Sequence, residues 1–195
     1  VVINCNSYIG SNSQIGANTI IHANVVISEN ISIGKNCVID SGTVIGAEGF
    51  GLIKEKNINY NIPHLGKVII GDDVTIGANC CIDRGTINNT VIGDNCKLDN
   101  LIQVGHNVKI GAHCVIAAQV GIGGSTVIED NVTIAGQVGI IDHIKIEKNS
   151  TILVKSLVCK SVPSNSVISG IPAINHRQKL RQYAAVKKLP KVIKN

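Results

Sequence analysis

Two histidines, His106 and His143, are the side chains of this 195-residue chain best suited to proton transfer. Each follows an aliphatic residue at a short distance, and the segment Gly123-Gly124-Ser125 lies between them in the sequence. A neutral imidazole accepts a proton near physiological pH, and glycines leave the space between two such rings open. The residues therefore predict a cleft with a base on one wall, if the fold stacks these three segments at one corner.

A six-residue spacing of aliphatic residues predicts such a fold. Ile, Leu or Val recurs at every sixth position from Ile9 to Ile45, from Ile70 to Ile82 and from Ile92 to Val158. A small or β-branched residue stands two positions before most of these aliphatics, and a glycine often follows them. A period of six fits neither an α-helix nor a hairpin meander. We expect a solenoid of short strands with two inward residues each, in which the glycines turn the corners.

Two breaks and an ending interrupt this period. Residues 47–67 lack the repeat and are expected to form an extruded loop, and a shorter break at 84–89 adds a small bulge. After Val158 the repeat ends, and Asn175 fits the N-cap of a helix predicted from His176 to Lys188. The predicted organisation is a β-helix over 1–168 followed by a turn and a basic helix over 169–195.

The repeat resembles the hexapeptide repeat of left-handed parallel β-helix acyltransferases. This resemblance implies an all-β, left-handed parallel β-helix with three hexads per coil and a short C-terminal α-helix. Positions eighteen apart then stack on one face, so the segments after Val104, Ile122 and Ile140 share a corner. Ile82 joins that face if the short bulge stays within one coil. His106 and His143 would lie two strand spacings apart, about 9 to 10 Å.

Several segments resemble one family within this group, the UDP-3-O-(3-hydroxyacyl)glucosamine N-acyltransferases of lipid A biosynthesis. They are 46–51, 62–66, 76–85, 98–100, 104–108 and 169–173. The chain departs from the family pattern at Glu48, His64 and Asp142, where Asp, Gln and Gly are usual. The family also has an N-terminal domain that helps to hold uracil. This sequence enters the repeat at once, so we expect those contacts to lie outside it.

The resemblance implies a reaction and roles for residues. A 3-hydroxyacyl group passes from the phosphopantetheine thioester of acyl carrier protein to the 2-amine of a UDP-3-O-(3-hydroxyacyl)glucosamine. His106 would act as the general base, the Gly124 N–H would donate to the oxyanion, and His143 would bind or orient substrate. Further substrate contacts are predicted for a set of four residues, Arg84, Asp99, Asn100 and Gln103. No metal or dissociable cofactor is expected, and the implied assembly is a homotrimer with the cleft between subunits.

The excess of positive charge, +5 overall, concentrates near the C-terminus. Arg177, Lys179 and Arg181 are predicted to bind the acidic acyl carrier protein, the alternative being a solvated charged face. We expect no nucleic-acid partner. No apolar run approaches the roughly twenty residues that cross a bilayer, so no transmembrane segment is expected. All seven cysteines are expected to be reduced, which favours a cytoplasmic location.

Other functions remain open at this stage. The same repeat occurs in acetyltransferases that use acetyl-CoA, and a non-catalytic β-helix scaffold is also possible. A zinc site of the His-x-x-x-x-His kind is not favoured, because His106 and His113 are seven residues apart. The remaining four histidines, His22, His64, His113 and His176, are expected to be structural.

Overall fold

The computed structural model describes residues 1–192 and contains a left-handed parallel β-helix of about nine turns, closed by one helix. The predicted fold class is therefore confirmed. The strands are β1 (Val2–Ile3), β2 (Tyr8–Ile9), β3 (Gln14–Ile15), β4 (Ile20–Ile21), β5 (Val26–Ile27), β6 (Ser32–Ile33), β7 (Val38–Ile39), β8 (Val44–Ala47), β9 (Leu52–Glu55), β10 (Ile58–Asn61), β11 (Val68–Ile70), β12 (Thr75–Ile76), β13 (Cys81–Asp83), β14 (Thr90–Ile92), β15 (Lys97–Leu98), β16 (Gln103–Val104), β17 (Lys109–Ile110), β18 (Val115–Ile116), β19 (Gly121–Ile122), β20 (Val127–Ile128), β21 (Thr133–Ile134), β22 (Gly139–Ile140), β23 (Lys145–Ile146), β24 (Thr151–Ile152), β25 (Leu157–Val158), β26 (Val167–Ser169) and β27 (Ile174–Asn175). The helix is α1 (His176–Val192).

Three parallel sheets form the sides of the helix, and the chain visits them in turn. Sheet A has the order β1-β4-β7-β12-β15-β18-β21-β24-β26, with β27 added antiparallel at its end. Sheet B has the order β2-β5-β8-β13-β16-β19-β22-β25, and sheet C has the order β3-β6-β11-β14-β17-β20-β23. In sheet B, Val104 is opposite Ile122 and Ile122 is opposite Ile140. The eighteen-residue coil is thus present.

The interior is aliphatic, as the repeat predicts. From Ile21 onwards the large residue of each hexad is buried, as at Ile27 and Ile39, whereas Ile9 and Ile15 are only partly buried. The small residue two positions before it is buried in most hexads, as at Val25 and Cys37. Neighbouring coils stack these side chains on one another, so each coil contributes to one continuous core. All seven cysteines are free, and four of them occupy the small inward position.

The corners are turned by a different residue from the one expected. The left-handed conformation occurs three positions before the aliphatic residue, for example at Asn6 and Asn12, with φ of 58° and 59°. Asparagine tolerates this conformation better than most side chains do. A glycine such as Gly10 is needed for a separate reason, because a Cβ there would collide with the backbone of Ser28 and Glu29 in the next coil. The predicted conformational role holds at Gly46, which has a left-handed φ of 89°, and is wrong at glycines such as Gly10, Gly16 and Gly34.

Both breaks in the period are accommodated outside the coil. Strand β8 pairs with β13, so that Ile45 lies opposite Ile82, and the residues between them include the antiparallel hairpin of β9 and β10. Ile82 also lies opposite Val104 although the two are separated by more than eighteen residues. The expectation that Ile82 shares the face of Val104 is confirmed. The corner after sheet B therefore carries segments from both breaks.

Helix α1 starts at the predicted cap and is longer than predicted. The Asn175 side chain accepts hydrogen bonds from the N–H groups of Arg177 and Gln178, at 3.1 and 3.4 Å. The helix packs on β26 and β27 and continues beyond Lys188 to Val192. Within residues 1–192, no helix is both long and apolar enough to cross a membrane.

Candidate active site

A cleft of about 630 Å³ opens at the corner where the chain passes from sheet B to sheet C. The three residues predicted for catalysis, His106, Gly124 and His143, line it together with Gln103. The other lining residues are Ala47, Glu48, Gly49, Phe50, Cys81, Asp83, Gly105, Ile122, Gly123 and Asp142. The stacking of segments inferred from the eighteen-residue coil thus brings these four residues together.

The hydrogen bonds around His106 fix which ring nitrogen is available. The Asn107 side chain donates through Nδ2 to the Asn88 carbonyl at 3.0 Å and accepts the Thr86 N–H through Oδ1 at 3.0 Å, so its orientation is determined. Its Oδ1 lies 2.9 Å from His106 Nδ1. Because a carbonyl oxygen accepts, we assign the proton to Nδ1, which leaves Nε2 with a lone pair and, within residues 1–192, no hydrogen-bond partner. The ring is arranged for base catalysis through Nε2.

Gly124 lies directly against that nitrogen. A Cβ at Gly124 would be 2.6 Å from His106 Nε2 and 2.8 Å from Cε1, so only glycine leaves room for the ring. The Gly124 carbonyl accepts the His143 N–H at 3.0 Å. Among residues 1–192 the Gly124 N–H has no hydrogen-bond partner. A free backbone donor beside a free imidazole nitrogen is the arrangement that acyl transfer requires.

His143 lines the same cleft but belongs to a different column of the corner. It has a left-handed φ of 55°, as do Ser125 and Asn107 one and two coils below it, whereas Asp142 is the residue two coils above His106. His143 is therefore offset by one residue from the His106 column. The predicted role of His143 in binding or orienting substrate stays a prediction.

Asp83 is a buried carboxyl in the cleft that sequence reasoning did not single out. Its side chain is only 7% exposed, and burial raises the pKa of the carboxyl against smaller opposing effects of Gln103, Cys81 and His106. Burial, followed by the Asp83 charge, raises the pKa of the adjacent Cys81 thiol to about 11. A thiol of that pKa stays protonated at neutral pH, so Cys81 is not arranged as a nucleophile.

His64, expected to be structural, packs on the His106 ring. The two ring centroids are 5.3 Å apart, and the planes are inclined by 66°. The segment Glu48–Phe50 crosses above them, with Glu48 bound to the His64 backbone and Phe50 85% exposed. In the sequence, His64 stands out only because it follows Pro63 and departs from the family pattern. Neither feature indicates a contact with His106.

The other predicted substrate residues are placed differently. Arg84 donates to the Glu29 carboxylate at 2.6 Å and to the Gly46 carbonyl at 3.2 Å, and its side chain is 13% exposed. Asp99 and Asn100 lie at the preceding corner, outside the lining of this cleft, and bond to each other at 2.7 Å. The contacts of Arg84 favour a role in fixing the loop, and the substrate roles of all three stay predictions.

The basic residues of α1 lie away from the cleft. Arg177 and Arg181 are exposed, and Lys179 Nζ lies 5.0 Å from the centroid of the Tyr183 ring. In the described part of the chain, no group of three or more His, Cys, Asp or Glu residues is arranged to hold a metal ion.

Comparison with known proteins identifies the repeat. Residues 12–47 and 89–124 match the family described as bacterial transferase hexapeptide (six repeats). Residues 67–100 match the hexapeptide repeat of succinyl-transferase. Together these matches include the segments that carry His106 and Gly124.

Curated relatives carry a more specific name. The chain is 38% identical over 148 residues to UDP-3-O-acylglucosamine N-acyltransferase 2 of Rhodopseudomonas palustris (strain BisB18), covering 76% of this chain and 40% of the relative. It is 50% identical over 69 residues to the protein of the same name from Legionella pneumophila (strain Philadelphia 1), covering 35% of this chain and 20% of the relative. The chain thus spans less than half the length of these relatives.

Solved structures share the coil geometry. The UDP-N-acetylglucosamine O-acyltransferase of Moraxella catarrhalis matches with a TM-score of 0.81 at 29% identity, covering 96% of this chain and 74% of that one. The Francisella novicida UDP-N-acetylglucosamine acyltransferase matches with a TM-score of 0.80 at 27% identity, covering 91% and 65% of the two chains.

Proposed function

We propose that the chain is an N-acyltransferase of lipid A biosynthesis, since residues 12–47 and 89–124 match the hexapeptide repeat of bacterial transferases. Its donor is a 3-hydroxyacyl thioester on acyl carrier protein, and its acceptor is the 2-amine of UDP-3-O-(3-hydroxyacyl)glucosamine. The names of the curated relatives support the acceptor. The observation that carries the proposal is the pairing of a free His106 Nε2 with the unbonded N–H of Gly124 in one cleft.

The geometry accounts for each step of amide formation. The amine nitrogen attacks the thioester carbonyl carbon while His106 Nε2 accepts its proton. The carbonyl oxygen becomes an oxyanion, which the Gly124 N–H stabilises. When the tetrahedral intermediate collapses, the carbon–sulfur bond breaks, and the protonated His106 returns the proton to the leaving pantetheine sulfur. No metal or dissociable cofactor takes part, since phosphopantetheine arrives with the donor.

The surroundings of the two groups support this assignment. Asn107 holds the proton on Nδ1 of His106, so the ring cannot present the wrong nitrogen. His143 and Gln103 line the cleft within reach of a bound substrate. We further propose that the protein acts as a homotrimer in the cytoplasm, and the seven free cysteines fit a reducing compartment.

The proposal is tested by an acyl-transfer assay with 3-hydroxyacyl carrier protein and the UDP-sugar acceptor. His106→Ala is expected to lower kcat by roughly 10² to 10⁴, the usual contribution of a general base, with thermal unfolding unchanged. His113→Ala, which removes an exposed histidine on another corner, is the matched control. Transfer from acetyl-CoA but not from carrier protein would identify an acetyltransferase instead. Full activity of His106→Ala would rule out the mechanism.

A further inference from the structure

His64 is buried beside the proposed base although it lies in the extruded segment. Its side chain is 0% exposed, and its ring meets the His106 ring edge to face at a centroid distance of 5.3 Å. Aromatic rings in this relative orientation attract each other and resist rotation. The His64 ring therefore forms a wall on one side of the His106 imidazole.

Hydrogen bonds hold His64 itself in one orientation. Its Nδ1 donates to the Ile62 carbonyl at 2.8 Å, and its backbone N–H donates to the Glu48 carboxylate at 2.8 Å. The acidic groups near the two rings are Glu48, with Oε1 3.9 Å from His64 Nδ1, and the buried Asp83. The orientation of His64 is thus set by its own loop, independently of any contact that His106 makes.

The glycines of the loop are required by these two rings. A Cβ at Gly49 would lie 2.7 Å from His64 Nε2 and 2.9 Å from His106 Cβ, and one at Gly51 would lie 3.0 Å from His64 Cε1. The backbone of the loop therefore passes directly over both histidines. The loop backbone therefore covers the contact between the His64 and His106 rings.

The remaining nitrogen of His64 takes no part in this wall. Its Nε2 is buried and has no hydrogen-bond partner within residues 1–192. A buried nitrogen without a partner lowers the stability of the folded state, and an apolar ring of similar shape would avoid that cost. The contact with His106 is therefore made by the ring itself, and a phenyl ring would retain it.

We propose that His64 is a positioning residue that keeps the His106 imidazole in the orientation directed at Gly124. The catalytic meaning of this role rests on the proposed function, whereas the contact between the rings does not. Three groups hold the base: Asn107 at Nδ1, Gly124 at Nε2, and His64 through the inclined contact between the two rings. Without the wall, the His106 ring samples other orientations, and Nε2 spends less time beside the reacting centre.

The test combines nitrogen NMR of the His106 imidazole with steady-state kinetics in three variants of the chain. His64→Ala is expected to shift and broaden the His106 signals and to lower kcat roughly tenfold with KM nearly unchanged. His64→Phe, which retains an aromatic wall, is expected to restore the His106 signals and most of kcat. His113→Ala is the control for the loss of a histidine elsewhere.

Unchanged His106 signals in His64→Ala would overturn the proposal. It would also be overturned if His64→Phe altered the His106 signals and kcat as much as His64→Ala does. If His64→Ala does not fold, His64→Phe decides alone, with native His106 signals supporting the role and altered ones refuting it. If the wild-type chain transfers no acyl group while the His64→Ala signals shift and His64→Phe restores them, the proposed function fails and the positioning role stands.

Discussion

The geometry of the cleft depends on the lack of a side chain at Gly124. Gly124 has an ordinary backbone conformation that any residue adopts, so glycine is required there only because the His106 ring occupies the position of a Cβ. The requirement for glycine therefore comes from the site and not from the backbone of the coil. A methyl group at position 124 should change the position of the His106 ring with little effect on the stability of the coil.

Gly124→Ala is expected to displace the His106 ring and lower kcat about 10²-fold, because a misplacement of about 1 Å has that effect on catalysis. The unfolding temperature should change little, since the three nearest atoms to the new methyl group belong to the His106 ring and none to the backbone or the aliphatic core. Gly136→Ala, whose Cβ would be 3.4 Å from the nearest atom, is the control. Kinetics and thermal unfolding measured on both variants check the prediction. Equal kcat values for Gly124→Ala and Gly136→Ala would contradict it.

Asp83 gives the site a pH-dependent effect on stability. Burial raises the pKa of its carboxyl in the folded state, so the charged form is disfavoured relative to the unfolded chain. The stability that this group contributes is present at low pH and is lost as the pH rises through the raised pKa.

Asp83→Asn should therefore unfold at a temperature a few degrees above that of the wild type at pH 7, with the difference shrinking towards pH 3. Calorimetry across this pH range measures it. Asp142→Asn, which changes an exposed carboxyl at the same corner, is the control variant. A difference that grows in acid would mean that the carboxyl is stabilised by its charge.

At the level of elements, sheet B presents an unusually smooth outer face beside the site. Its outward residues stack as Gln103, Gly121, Gly139 and Leu157 in successive strands. A Cβ at Gly121 would have no atom within 4 Å, and one at Gly139 would meet only the Leu157 side chain, at 3.4 Å. The two glycines therefore leave a groove floor without side chains between Gln103 and Leu157. The groove ends at Leu157 and is roughly 14 Å long, three strand spacings from Gln103.

If the acyl chain lies in this groove, its accepted length depends on Leu157. Leu157→Ala should shift the preferred 3-hydroxyacyl chain to longer lengths, and Gly139→Val should shift it to shorter ones, because each changes the free length of the floor. Mass spectrometry of products from a mixture of acyl donors measures the shift. Val115→Ala, an outward valine on sheet A, is the control. Identical product distributions in all variants would place the chain elsewhere.

Helix α1 carries exposed positive charge and packs on β26 and β27 at the end of the β-helix. Replacing Arg177, Lys179 and Arg181 by glutamine should raise KM for acyl carrier protein roughly tenfold at low salt and flatten its salt dependence, with kcat unchanged. Lys35→Gln, on an early coil, provides the control. KM values measured across a salt series decide between docking and a solvated face, and parallel curves for wild type and variant indicate the latter.

On the scale of the whole molecule, a single period accounts for most of what was predictable. The aliphatic hexads determine which residues pair across coils, and that pairing alone places His106, Gly124 and His143 at one corner. Residues outside the period escaped this reasoning. His64 reaches the site from the extruded segment, and Asp83 is defined by its burial, which depends on the loop above it.

The corner conformation escaped prediction for a different physical reason. Glycine and asparagine both accept a left-handed φ, and glycine is also required where backbones meet closely. Asn6 adopts the left-handed φ, whereas Gly10 lies too close to the backbone of the next coil for a Cβ. The sequence does not show which of these two requirements applies at a given glycine or asparagine.

The coil length also constrains how such a protein changes over evolutionary time. Because Val104 pairs with Ile122 and Ile122 with Ile140, an insertion of eighteen residues adds a complete coil and leaves every inward side chain facing inward. Any other insertion is expelled at a corner, as at residues 47–67. A duplicated coil between β19 and β22 would move Leu157 away from His106 by about 4.8 Å. Duplication of whole coils therefore offers a route to a new acyl-chain length that leaves the chemistry of the corner intact.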